Sequence, residues 1–262
     1  MNSPMFEQQE SPAEPGTKAR LVRSSHLVAA HQVFADYNLA PRTLRQIARI
    51  ASLRKLPKYE TLQEARPSTD GVAVLVAQGT VREDFPHGRC RLWKRGALIG
   101  DWTGAETTSP TMLTALTWCK LMEISSAKID RAGTEVFRAL AQASMMRLST
   151  AENVYGTDRR SPVARVAALL HYLGNSPDVV VERINHETTS IRFLRDGVVD
   201  GPAQVDIADA LGISRASVEK ALALLRDRGV LYKVRRGEAR TNRRYLIKED
   251  RLLASIAYGG LR

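Results

Sequence analysis

The sequence is short of the residues that build several classes of protein. Two cysteines occur in 262 residues, Cys90 and Cys119, far apart and without a metal-ligand pattern around them. That excludes a disulfide framework and leaves nothing for a zinc site or an iron–sulfur cluster, each of which needs a set of converging ligands. A reducing interior is the natural setting. No apolar run approaches the ~20 residues needed to span a bilayer. The opening MNSPMFEQQESPAEPGTK has no basic start followed by an apolar core, so no secretory leader and a cytoplasmic location are expected. Catalytic signatures are missing too: no Gly-rich phosphate loop before a helix, no His-Glu-x-x-His and no nucleophile elbow. Acidic residues are scattered, and nothing selects a pair for acid–base work. The expectation is a protein that is not an enzyme and that carries no cofactor or metal. Haem would have only lone histidines such as His87 to hold it, and lone histidines are more often surface or packed residues.

What the chain has in excess is positive charge. Thirty-nine Lys and Arg face 28 Asp and Glu, a net charge of +11. The excess is uneven: Lys233, Arg235, Arg236, Arg240, Arg243 and Arg244 crowd one short segment against a single acid, Glu238. A polyanion is the expected partner. A membrane surface would call for a basic amphipathic helix with aromatic anchors, and none is evident.

The residues from Gln204 to Gly229, QVDIADALGISRASVEKALALLRDRG, have the spacing of a helix-turn-helix. Ile207, Leu211, Ile213 and Val218 supply the apolar positions that fasten two short helices to a domain body, and Ala208 is small where the helices cross. Gly212 falls where the turn needs a backbone conformation that side-chained residues resist. Ser214 can cap the second helix by accepting a hydrogen bond from a free amide of its first turn. Arg215, Ser217 and Lys220 then lie near the start of that helix, where such elements meet base edges in the major groove. The competing reading is an ordinary helical hairpin. The flanks favour DNA: VLYKVRRGEARTNRRYLI reads as two strands around Gly237, a wing whose Arg235 and Arg236 would meet backbone phosphates.

Along the chain, residues 1–17 read as a disordered tail rich in Pro, Glu, Gln and Ser. Helices are expected over about 18–37 and from Arg42 to Leu53, ended by Pro57. Short runs bounded by turn residues follow, with strands expected at Val72–Ala77, Arg89–Lys94, Leu98–Trp102, Met112–Leu116 and Lys120–Ile124. Helical spacing returns from about Arg131 to Tyr155, carried by Val136, Leu140, Ala143 and Leu148. This helix is a core element or a dimer seam. Asn153 to Arg160 looks like a hinge. Ser161-Pro162 then opens a helix through Leu173, stopped by Gly174. Val179–Ile184 and Ile191–Leu194 suggest a hairpin.

The order of β-rich domain, long helix and winged helix-turn-helix resembles the Crp/Fnr superfamily of bacterial transcription regulators. The resemblance covers about Arg42 to Tyr245 and is clearest in DIADALGISRASVEKALALLRDRGVL. It implies an α+β fold. The parts would be an N-terminal jelly-roll-like β-roll with its helices over 18–130, a dimerisation helix and hinge over 131–160, and a winged helix-turn-helix over 161–262. It further implies a homodimer on a near-palindromic site, base or phosphate contacts by Arg215 and Lys220, and RNA polymerase as a further partner. Gln204 is a plausible phosphate clamp. Ala216 stands where many members carry a cytosine-reading glutamate, so a departure from the usual half-site is expected.

GVAVLVAQGTVR, from Gly71 to Arg82, resembles the family's strand-and-turn segment with its characteristic glycine, here Gly79. The family's cyclic-nucleotide binders follow it with a Gly-Glu pair and then an arginine before Ser or Thr. Here Gly100-Asp101 and Pro110-Thr111 stand at those places, and no arginine occurs between Asp101 and Ile129. Burying a cyclic phosphate without a fixed cation is costly. Cyclic AMP and cyclic GMP are therefore expected to bind weakly or not at all, at a degenerate effector site around Gly100, Asp101 and Thr111. Trp102 could line a pocket for another effector, although Trp93, Trp102 and Trp118 read first as packing residues. Two other classes stay open: a winged-helix replication initiator or architectural DNA binder without effector control, and a protein-interaction module.

Overall fold

In the computed structural model, the described residues are 15–63, 71–100, 111–156, 160–174, 179–185, 188–193, 197–232 and 243–259. Among them, eight strands arise between Ser52 and Ser125, and their side chains alternate between two surfaces as the pleat requires. β1 (Ser52–Leu56), β8 (Cys119–Ser125), β3 (Val72–Gln78) and β6 (Leu98–Ile99) form one antiparallel sheet in that order. β2 (Thr61–Gln63), β7 (Met112–Ala115), β4 (Val81–Asp84) and β5 (Cys90–Trp93) form the other. Their inner faces meet: Leu56, Val74, Val76, Ile99 and Leu121 from the first sheet pack on Leu62, Val81, Trp93, Leu113 and Ala115 from the second. This is a β-roll.

The first sheet is covered on its outer face as well. Ala73, Leu75 and Ala77 of β3 and Met122 and Ile124 of β8 pack on helices. These are α1 (Pro15–Val33), α2 (Pro41–Ile50), α3 (Ser126–Ala132) and α4 (Thr134–Thr150), through Val33, Ile47, Ile129, Val136 and Leu140. Burial on both faces explains why β3 reads as an unbroken apolar run.

Beyond α4 the chain passes through a π-helical turn, Ala151–Tyr155, into α5 (Pro162–Gly174). A hairpin of β9 (Val179–Asn185) and β10 (Thr188–Phe193) follows, then β11 (Val198–Asp200), α6 (Gln204–Leu211), α7 (Arg215–Asp227), β12 (Arg244–Leu246) and α8 (Asp250–Tyr258). α5 is the centre of this part, with Val166, Leu169 and Leu170 fully buried among Ile207, Val218, Leu222, Leu225 and Leu253. β11 pairs with β12, and Leu231 bridges Ile247, which forms the base of a wing. The expected turn around Gly237, with Arg235 and Arg236, lies outside the described residues.

Several expectations are corrected. The helix expected to run to Leu53 stops at Ile50, because Ala51 turns extended and the next five residues pair with β8 as β1. Leu53 and Leu56 sit at a spacing that suits a helix as well as a strand, and pairing decides. The long helix expected from Arg131 to Tyr155 is broken at Gly133, whose φ of +87° separates α3 from α4, and its last turn is π-helical. The tail expected over 1–17 overlaps α1, which starts at Pro15; the residues before it lie outside the described residues. The expected strand Leu98–Trp102 is short: β6 ends at Ile99, and 101–102 lie outside.

Gly79 turns the chain from β3 to β4 with φ of +89°. A Cβ there would stand 2.6 Å from the Trp118 carbonyl oxygen and 2.7 Å from Cys119 Sγ. Both the backbone conformation and the space demand glycine. Gly79→Ala should cost at least about 2 kcal/mol in urea unfolding, with an unchanged slope of free energy against denaturant.

Candidate nucleic-acid interface

α6 and α7 are joined by Gly212, which adopts a left-handed conformation at φ +60°. Nothing lies within 4 Å of a Cβ built there, so the glycine serves the turn and not the packing. Ser214 caps α7: its Oγ accepts from the Ser217 amide at 3.1 Å, and the two hydroxyls lie 2.9 Å apart. Val218, Ala221, Leu222 and Leu225 form the buried stripe of α7. Spacings of three and four keep them on one side and place Arg215, Ala216, Glu219 and Lys220 on the other, exposed.

The Arg215 side chain is 66% exposed and donates from Nε to Glu219 Oε1 at 3.1 Å. A solvated pair of this kind is worth a few tenths of a kcal/mol, so an incoming phosphate or guanine can displace it. Lys220 is exposed one turn beyond Ala216, and Ser217 is half-buried under its bond to Ser214. Gln204 is the first residue of α6, half-buried. Of the residues expected at the DNA, Ser214, Arg215, Ser217 and Lys220 thus fall on the start of α7 and Gln204 at the head of α6. Arg235 and Arg236 lie outside the described residues.

The sequence reading missed what holds this unit against the roll. Arg82 of β4 donates to three carboxylates: Asp84 at 2.8 Å, Asp206 at 2.9 Å and Asp209 at 3.0 Å. Asp206 is only 8% exposed and also accepts from the Ala203 amide at 2.7 Å, capping α6. Thr80 donates to the Asp200 carbonyl at 3.3 Å, and the Arg243 guanidinium lies 4.7 Å over the Tyr59 ring. Nothing local in the sequence pairs Arg82 with residues 124 and 127 positions away.

In the roll, Gly100 has φ of +87° at the end of β6, and Thr111 is buried just before β7. Asp101, expected beside them, lies outside the described residues. A cation does enter the roll, from another element. Arg147 of α4 donates to both oxygens of Glu83, at 2.8 and 2.9 Å, and lies 5.2 Å over the Trp93 ring. Trp93 Nε1 donates to the same carboxylate at 2.6 Å, and Glu83 is 1% exposed. Burial of this carboxylate is met by three donated bonds from two side chains. Among the described residues no group of three or more His, Cys, Asp or Glu is placed to hold a metal, and no described helix is long and apolar enough to cross a membrane.

A β-roll followed by a capped helix-turn-helix and wing base is an architecture with known counterparts. The fold is that of the Crp/Fnr regulators. FixK2 from Bradyrhizobium japonicum superposes with a TM-score of 0.51 at 18% identity, over 79% of this chain and 97% of that one. A CRP-family transcriptional regulator from Thermus thermophilus gives 0.52 at 23% identity, over 78% and 96%. A CRP/FNR-family regulator from the same organism gives 0.51 at 17%, over 79% and 98%. No family model matches the sequence, and no curated protein matches it. At these identities the likeness is one of α+β fold and Crp/Fnr topology.

Removing Arg147 would strand the buried Glu83 charge. Arg147→Met should therefore cost roughly 2–4 kcal/mol in urea unfolding. Adding Glu83→Leu to it should restore at least about half of that loss, a non-additivity that independent sites would not give.

Proposed function

We propose that this protein regulates transcription by reading duplex DNA with the N-terminal half of α7. The observation that carries the reading is the division of α7 into two faces. One is spent on the domain core, and the other presents Arg215 and Lys220, capped and exposed, at the end of the helix that enters a major groove in this architecture. Arg215 and Lys220 read bases, Ser214 and Ser217 assist, and Gln204 clamps a phosphate. Arg235 and Arg236 add sequence-independent affinity through phosphate contacts. Residues 161–262 act as the DNA-binding domain, 18–130 as the controlling roll and 131–160 as the seam and hinge. The setting is the cytoplasm, with RNA polymerase as the protein partner at promoters.

Two copies act together. Phe137, Met145, Met146 and Leu148 of α4 are 51–66% exposed, while Val136, Ala139, Leu140 and Ala143 serve the core of their own chain. Phe137, Ala141, Met145 and Leu148 recur at helical spacing along one outer stripe. Covering Phe137, Met145 and Leu148 in both copies recovers about 5–9 kcal/mol gross, comparable to the cost of association. A two-fold pair places two copies of α7 side by side for a near-palindrome.

Cyclic AMP and cyclic GMP do not control it on this reading. The arginine that would neutralise their phosphate is missing from 101–129, and Arg147 is already committed to Glu83. The same commitment favours a second reading, an architectural binder with no effector control.

Arg215→Ala should cost roughly 1–3 kcal/mol on the selected site and relax preference at one base step, whereas Arg236→Ala should weaken specific and random duplexes alike. Fluorescence anisotropy on both duplexes separates these outcomes; equal losses for Arg215→Ala contradict the assignment. Met145→Glu should shift sedimentation toward a single chain and weaken binding to the two-half-site duplex by about tenfold or more.

A further inference from the structure

Cations crowd a second segment besides the wing. Residues 42–58 carry Arg42, Arg45, Arg49, Arg54, Lys55 and Lys58 and no acid. All six are exposed. They belong to α2 and to the strand and turn after it, with Ala51 alone between α2 and β1. Arg42, Arg45 and Arg49, at spacings of three and four, form one outward stripe, while Thr43, Leu44 and Ile47 are buried on the other side. α2 covers the outer face of the first sheet. The DNA-reading unit packs on the second sheet, through Arg82 and Leu92, so it lies on the opposite side of the roll from α2.

Little inside the chain neutralises this charge. Among the described residues, Arg54 alone of the six comes within 4 Å of a carboxylate, Glu123 at 3.7 Å. Arg45 donates from Nε to the Pro41 carbonyl at 3.3 Å, which uses one of its five N–H donors. The sheet adds an unfavourable pair: Lys55 of β1 stands directly opposite Lys120 of β8. Lys120 alternates with the inward Leu121 and is in phase with Met122, so the pair is on the face that α2 covers. Like charges in register destabilise a sheet. Burial, and then Lys55, holds the Lys120 ammonium below the ordinary lysine range. An anion seated beside the two lysines relieves that repulsion.

The stripe itself indicates which anion. From Arg42 to Arg49 it runs about 10 Å along the helix axis. One strand of a duplex presents about three phosphates over that length. Guanidinium groups suit phosphate oxygens through paired, planar hydrogen bonds. Protein interfaces centre on aromatic or aliphatic anchors, and membrane-surface helices on an apolar face. α2 exposes no large apolar side chain.

We propose that Arg42, Arg45 and Arg49, with the Lys55–Lys120 pair, form a second nucleic-acid surface that holds the phosphate backbone of duplex DNA without reading its sequence. Because it faces away from the unit that carries α7, it holds a different stretch of duplex from the one under that helix.

The test is fluorescence anisotropy of the full chain on a random-sequence duplex. The background variant Arg215→Ala/Lys220→Ala/Arg236→Ala, stripped of contacts proposed above, should still bind with an affinity that falls steeply as salt rises. Adding Arg42→Gln, Arg45→Gln and Arg49→Gln should weaken that residual binding about tenfold or more. The slope of log affinity against log salt should fall by about 2–3. Lysine at the same three positions should keep affinity within about threefold, and unfolding midpoints check that both variants fold. Arg45→Gln alone should weaken binding about twofold, and Arg138→Gln, which removes one charge from α4, should not. Unchanged affinity in the glutamine variant, or equal losses for Arg45→Gln and Arg138→Gln, overturns the proposal. So does tighter binding of a polyglutamate peptide, or of vesicles about one quarter phosphatidylserine, than of duplex at equal salt. A chain that selects no specific site yet loses random-duplex binding with these arginines contradicts the reading by α7 and supports this surface.

Discussion

Arg82 binds three carboxylates at once, and the placement of α6 and α7 against the roll depends on that contact. The orientation of α7 is set by two sets of contacts, one within its own unit and one with the roll. Within the C-terminal unit that task falls to the apolar stripe of α7 packed on α5. Between that unit and the roll, Arg82 reaches Asp206 and Asp209 on α6 from β4. Its side chain is 21% exposed and Asp206 12%, so both partners have lost much of their water. In such surroundings charge-assisted hydrogen bonds are stronger and more directional than on an open surface. Asp206 also caps α6, so the interdomain bond and the local helix start share one carboxylate. A disturbance of the roll near β4 is therefore felt at the start of α6.

The interior of the roll makes a different use of charge. The family's cyclic-nucleotide binders are expected to supply an arginine to a buried phosphate; here the arginine comes from α4 and its anion is Glu83. The pair is closed by Trp93, whose indole donates to the same carboxylate. A ligand phosphate entering at this point would have to compete with an internal anion already desolvated and bonded. Trp93 also makes an edge contact with Tyr155 at 6.0 Å between centroids, which ties this interior to the π turn at the end of α4.

Local chemistry made much of this legible in the sequence. Gly212, Ser214 and the Pro162–Gly174 bounds of α5 each depend on a few neighbouring residues, and the structure places a left-handed turn, a cap and helix ends there. The α+β class came with the family resemblance, and the switch from strand-like to helical spacing marked the end of the β-rich part. Pairing across the chain was not legible. β1 was hidden in the tail of a helical pattern, and β2 and β4 are three and four residues long with too little alternation to register. The break at Gly133 was masked because apolar spacing continues on both sides of it. α8, which follows the wing base, was not anticipated. The α6 partners of Arg82 and the partner of Arg147 lie 64 to 127 residues away, and no periodicity or motif links them.

The central claim is that the start of α7, in two copies, reads a duplex. Selection from a random duplex library by the full chain, followed by sequencing, tests it most directly. The account predicts enrichment of a near-palindrome whose half-sites lie about 10 base pairs apart, centre to centre, with bound complexes lost as salt rises. A folded chain that enriches no sequence at low salt would contradict it.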